Sequence, residues 1–114
     1  GHVSSSIFYQ RAPDLAVVRV AVYLVLDPDT QSRCQDIRIV MGSVGPTPLR
    51  SKRGEDLLKG QAITGALIEA AARVSAEDAQ PTTDTNGSEE YKRELVHVLV
   101  TRSIKEAATR AAAP

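Results

Sequence analysis

Cys34, His97 and the cationic run Arg50, Lys52 and Arg53 are the side chains of this chain that come closest to a chemical set. A thiol and an imidazole can act as nucleophile and base, or as two ligands of a metal ion. Here they lie far apart in sequence, His2 is at the very start, and no further Cys or His stands at metal-ligand spacing. His97 falls in the middle of a helical pattern and reads as a half-exposed helix residue rather than a ligand or base. Cys34 reads as a small, partly buried hydrophobe, with a reactive thiol as the lesser alternative. The run around Arg50 reads by default as a solvated helix start, with phosphate contact as the alternative. Neither G-x-G-x-x-G nor a Walker loop occurs, so the usual phosphate cradle is missing. No Ser, His and Asp arrangement can be argued from their order alone.

The surrounding pattern predicts a small α+β domain. In "LAVVRVAVYLVL", residues 15 to 26, every even position from Ala16 to Leu26 is apolar, so a strand with one buried face is expected there. Asp27-Pro28-Asp29-Thr30 is a turn. "CQDIRIVM", 34 to 41, is a second strand, with Ile37, Ile39 and Met41 facing one way, and the two strands form an antiparallel hairpin. "GSVGPTP", 42 to 48, breaks the ladder, and a short extended piece near Leu49 is the candidate third strand. Three helices follow. Ser51 caps the first, which ends at Lys59-Gly60; Thr64 caps the second, over 65 to 78; Ser88 caps the third, which runs to about residue 109. Tyr91, Leu95, Val98, Leu99 and Arg102 recur at helical spacing, widened by Val96, Val100 and Ile104, so Tyr91 is expected to anchor the third helix in the core with its hydroxyl on a polar partner.

The totals narrow the function classes. At 114 residues the chain holds one core. Lys plus Arg and Asp plus Glu both number 14, and this balance argues against a general polyanion binder. One cysteine excludes an internal disulfide and fits a reducing, cytoplasmic compartment. No apolar run is long enough for a membrane span and no signal peptide is visible. The sequence opens Gly-His, which reads as a cleavage scar on a piece of something longer. Residues 1–6 are accordingly taken as scar and disordered start, 7–110 as one domain and 111–114 as a frayed tail.

Three blocks resemble a known family, the C-terminal domain of the FAD-binding (medium) subunit of molybdenum hydroxylases, of the carbon monoxide dehydrogenase and xanthine dehydrogenase class. "RAPDLAVVRVAV", 11 to 22, is similar to the family's Arg-x-x-Asp-Ile-Ala-x-Val entry into its first strand. "IRIVMGSVGPTPLRSKRGEDLLKG", 37 to 60, is similar to a strand followed by Gly-Gly-Val-Ala-Pro-Thr-Pro and a short helix with Ala-Glu that ends Leu-x-Gly. Asp84, Gly87, Ser88, Tyr91, Lys92 and Arg93 sit at the positions of Asp-x-Arg-Gly-Ser-x-x-Tyr-Arg-Arg. The chain departs from the pattern at Ser43, Gly45, Asn86 and Lys92, and the last of these puts a point charge where the family has a planar fork.

The resemblance implies a small antiparallel sheet, a hairpin plus a third strand, packed with three helices. It also implies a place in a FAD-dependent oxidoreductase subunit in which glycine-rich loops of two preceding domains hold the FAD diphosphate. Partner subunits then carry iron–sulfur clusters and the molybdenum cofactor, electrons pass from those clusters to FAD and on to an acceptor such as NAD or a quinone, and the isolated domain does no chemistry. Carried over by position, Tyr9 to Asp14 is the piece that approaches the isoalloxazine ring, with Arg11 and Asp14 as its charged, flavin-proximal members. A carboxylate and a guanidinium there would shift the stability of the anionic reduced flavin. An equal reading has Arg11 and Asp14 cap and brace the start of a strand. The alternative of a different class is a cofactor-free oligomerisation or interaction module.

Overall fold

A computed structural model describes residues 3–6, 18–29, 33–42, 49–79 and 88–112. Four antiparallel strands, β1 (Val3–Ser6), β2 (Arg19–Leu26), β3 (Cys34–Gly42) and β4 (Leu49–Arg50), lie side by side in chain order. Three helices follow, α1 (Lys52–Leu58), α2 (Gly65–Asp78) and α3 (Glu89–Ala112). α3 packs on β1 and β2, α1 packs on β3, and α2 packs against both other helices.

The alternation in β2 works as the pattern demands. Val20, Val22, Leu24 and Leu26 are buried, while Arg19 and Tyr23 are exposed. Ile37, Ile39 and Met41 of β3 close on the same core, together with Val96, Val100 and Ile104 of α3. Each such side chain contributes about 1.5–3 kcal/mol relative to exposure. Cys34 faces the core as well, although it is three positions from Ile37. The register explains this: Val25 pairs with Asp36 and Leu26 with Cys34, so Gln35 is an extra residue on β3 and the bulge resets the phase.

Local signals set the helix starts. The Ser51 hydroxyl accepts from Gly54 N–H (3.2 Å), Thr64 Oγ1 from Leu67 N–H (3.2 Å) and Ser88 Oγ from Tyr91 N–H (3.0 Å). Each satisfies a backbone donor that the first helical turn leaves without an internal partner. Past the end of α1, Gly60 takes φ of +81°, a conformation glycine adopts without strain. Its N–H is donated to Cys34 O, and Cys34 N–H is donated to Gln61 O (both 2.7 Å), which ties the helix exit to the start of β3.

Two expectations are corrected. A scar and disordered start is expected over residues 1–6, yet Val3–Ser6 pair with Val22–Val25 as an edge strand. A serine-rich segment carries no apolar alternation, so its strand rests on the backbone ladder with β2 rather than on a side-chain pattern. The second correction is the rotation of α3. Its buried face is Lys92, Val96, Leu99, Val100, Ser103, Ile104 and Ala107, whereas Tyr91 is 46% and Val98 40% exposed. Tyr91 therefore does not anchor the helix in the core. The stripe is turned by about one residue, with small Ser103 and Ala107 on the buried side, and the sequence pattern gives such residues little weight.

Candidate functional site

The described elements gather several chain ends at one pole. Arg19 at the start of β2 pairs with Gly42 at the end of β3, and Leu49 at the start of β4 pairs with Met41. β1 runs antiparallel to β2 and ends at Ser6 opposite Val22, heading the same way. α1 begins there, since Ser51 N–H is donated to Ile39 O (3.0 Å). α2 ends there, since the Ser51 hydroxyl is donated to Asp78 Oδ2 (3.0 Å). α3 begins there too: Arg93 Nη1 is donated to the carbonyls of Ala76 (2.9 Å), Glu77 (3.2 Å) and Ala79 (3.3 Å), the last of α2. The described residues that flank 7–17, 43–48 and 80–87 thus lie at the same pole. Arg11 and Asp14 lie in the first of them, outside the described residues, as do Ser43, Gly45, Asp84, Asn86 and Gly87.

What the described residues put at this pole is an ion-paired frame. Glu55, only 4% exposed, receives Arg50 in a two-pronged contact: Nε to Oε2 at 2.8 Å and Nη2 to Oε1 at 2.8 Å. Its Oε2 also accepts the Ile39 N–H at 3.0 Å. β4 is two residues long, so it leaves β3 without a partner strand beyond Val40, and the Glu55 carboxylate supplies the acceptor the ladder lacks. Arg53 holds Asp78 through Nε (3.0 Å) and Nη2 (2.6 Å). Hydrogen bonds to these carboxylates, first Glu55 and then Asp78, push the Arg50 and Arg53 guanidiniums further above their already high ordinary values. The cationic run is therefore neither a bare solvated helix start nor an open anion site, because both of its arginines are engaged within the domain.

Arg93 completes the frame. Its guanidinium sits on the negative end of α2 and also bonds Glu89 at 2.7 Å. Arg93→Ala is expected to lower the unfolding free energy by about 1–2 kcal/mol, while Arg93→Lys, which keeps the charge but not the fork, loses less. Urea unfolding of both variants checks this, and a change below about 0.5 kcal/mol for the alanine would remove Arg93 from the frame.

The other candidates remain structural. His97 Nε2 lies 2.9 Å from Glu69 Oε1, which also receives Arg73 Nη2 at 3.2 Å. The Arg73 hydrogen bond, with that of His97, holds the Glu69 carboxyl below the usual carboxylate range. Cys34 is wholly buried, and burial, reinforced by Asp36, pushes its thiol up to about 11. Among the described residues no three His, Cys, Asp or Glu side chains are grouped to hold a metal ion, and no helix is long and apolar enough to cross a membrane. The sequence pattern did not single out Glu55, Asp78 or Arg93 as a frame; the Ala-Glu and Tyr-Arg-Arg positions of the second and third blocks were the available signals.

Comparison with known proteins addresses the same span. Residues 6–107 match the family described as the CO dehydrogenase flavoprotein C-terminal domain. The nicotine 6-hydroxylase medium subunit of Paenarthrobacter nicotinovorans is 34% identical over 103 residues, covering 90% of this chain and 35% of that protein. The carbon monoxide dehydrogenase medium chain of Hydrogenophaga pseudoflava is 31% identical over 103 residues, covering 90% of this chain and 35% of that protein. Among solved structures, quinoline 2-oxidoreductase from Pseudomonas putida 86 superposes with a TM-score of 0.82 at 28% identity, covering 98% of this chain and 38% of that one. The chain thus spans about a third of the length of these relatives. It belongs to the CO dehydrogenase flavoprotein C-terminal domain family.

Proposed function

We propose that this chain is the C-terminal domain of the FAD-binding subunit of a cytoplasmic molybdenum hydroxylase, that it closes the flavin side of that subunit, and that it helps dock the subunit against partners bearing iron–sulfur clusters and the molybdenum cofactor. The family match over residues 6–107 carries the reading. The described ends that flank the motif-bearing stretches, Arg19, Gly42 with Leu49, and the start of α3, lie at one pole, which supports it. Within 7–17, Arg11 and Asp14 are the proposed flavin-proximal pair.

The described residues do not fit the diphosphate of FAD. The N-termini of α1, α2 and α3 are filled by their own caps, and Arg50, Arg53 and Arg93 are bound to Glu55, Asp78 and the end of α2. The proposal therefore leaves phosphate binding to preceding domains. The part of this chain is to hold its pole rigid and to exclude water from the face it covers. In the full subunit, FAD would supply the electron-carrying chemistry.

The test is the gene product at its natural length. It is expected to purify with stoichiometric FAD, while the 114-residue chain alone takes up none and reduces no dye. Tight, stoichiometric flavin on the short chain, or a full-length product with no flavin and no glycine-rich nucleotide-binding sequence upstream, would overturn the reading in favour of a cofactor-free interaction module.

A further inference from the structure

One carboxylate at the pole ties three elements together. Glu55 of α1 accepts the Ile39 N–H of β3 at 3.0 Å and the Arg50 fork of β4 at 2.8 Å, and it is nearly inaccessible. β4 has little else to hold it. It pairs with β3 only through Val40–Arg50 and Met41–Leu49, and it is shorter than the ~3–10 residues of an ordinary strand. Arg50 cannot slide along β3 without leaving the fork, because both contacts are directional and end on an acceptor that is itself bound to the β3 backbone. Ser51 N–H is donated to Ile39 O (3.0 Å), so Ile39 is engaged through both of its main-chain groups. The place fixed in this way has neighbours that matter. Arg19 begins β2, Gly42 ends β3 and Leu49 begins β4, so these residues flank 7–17 and 43–48. Adjacent strands lie about 4.8 Å apart, which puts the start of β4 about 10 Å from the start of β2, across β3.

We propose that Glu55 is a positioning residue of this pole: by holding Arg50 on β3 it fixes where β4 begins, and the affinity of the full-length subunit for FAD depends on that hold. The inference rests on the function proposed above. Glu55 itself meets no flavin. It acts through Arg50 and Ile39, from beneath the surface that the pole presents. A binding surface whose walls are already in place spares the ligand the cost of ordering them, and a loosened wall returns that cost as weaker binding.

The full-length subunit, stripped of FAD and titrated with FAD while flavin fluorescence is followed, gives the readout. Glu55→Gln keeps an acceptor for Ile39, but its amide nitrogen cannot receive Arg50. It is expected to raise the FAD dissociation constant at least about tenfold, and Arg50→Ala to do the same, with Arg50→Lys between that variant and the unaltered subunit. Ile104→Val is the control for lost stability alone. Ile104 is wholly buried, and α3 carries it about 22 Å from Glu89 at about 1.5 Å per residue, so its substitution should leave the constant within about twofold. An unchanged constant in Glu55→Gln would overturn the inference and leave the flavoprotein reading intact. So would a rise confined to Arg50→Ala, which would mean that Arg50 meets FAD or a neighbouring domain directly. An equal rise in Ile104→Val would overturn it as well, since any loss of stability would then weaken FAD. A full-length subunit that takes up no FAD before any substitution would remove the function proposed above and this inference with it.

Discussion

Glu55→Ala is expected to lower the unfolding free energy of the 114-residue chain by about 3 kcal/mol, a large share of the ~5–15 kcal/mol that holds a domain of this kind together. The carboxylate is nearly inaccessible and has two obligations, the Ile39 N–H at 3.0 Å and the fork of Arg50 at 2.8 Å. The exposed share of Arg50, whose side chain is 42% accessible, limits what the ion pair alone can supply to about 1 kcal/mol or less. The larger part comes from stranding the main-chain donor of a wholly buried strand residue, which costs about 1–3 kcal/mol. Glu55→Gln should therefore lose less than half as much, because its carbonyl can still accept from Ile39. A double-mutant cycle with Arg50→Ala should return a coupling of about 1 kcal/mol, since the two residues share one contact. Urea unfolding of the five proteins decides it. A loss under about 1 kcal/mol for Glu55→Ala would mean that solvent or a neighbouring backbone carbonyl replaces the carboxylate, and the frame at the pole would not depend on it.

What could be read from sequence, and what could not, divides by distance along the chain. Ser51, Thr64 and Ser88 act on backbone donors three residues away, so the starts of α1, α2 and α3 were legible, and α2 occupies the expected 65–78. The apolar alternation of β2 and β3 was legible for the same reason, and the short piece at Leu49 pairs as the expected third strand. β1 was not legible, because three serines say nothing about a ladder that β2 provides. The frame was not legible either. Glu55 meets Ile39 across 16 positions and Arg93 meets Glu77 across 16, and no local pattern encodes such pairs. The burial of Lys92 was not legible. A cation at that position argues for the outer face, yet it is 4% exposed while the tyrosine beside it is not covered. The family resemblance, by contrast, rested on three blocks in set order and spacing, and residues 6–107 match that family. Arg11 and Asp14 fall outside the described residues, so their flavin-proximal role rests on that resemblance.

Leu24→Ala should be the most damaging single truncation, at about 3–4 kcal/mol and a fall in Tm of roughly 15 °C. Leu24 is wholly buried in β2, which has a strand on either side and α3 across it: Ser4 of β1 is its partner on one side and Ile37 of β3 on the other. A cavity there is walled by two ladders and a helix, so little can move in to fill it, and the loss includes the unfilled volume as well as the missing transfer free energy. Tyr23, the adjacent residue, points the other way and is 40% exposed, so Tyr23→Ala should change stability by less than about 1 kcal/mol even though it removes more atoms. The contrast between neighbours is what a one-sided sheet requires, because the strand period of two sends successive side chains to opposite faces. Thermal unfolding followed by circular dichroism reads both. Comparable losses at the two positions would mean that the outer sheet face is covered after all, by a second copy in solution. A large loss at Leu24 with little at Tyr23 is the signature of a sheet buried on one face.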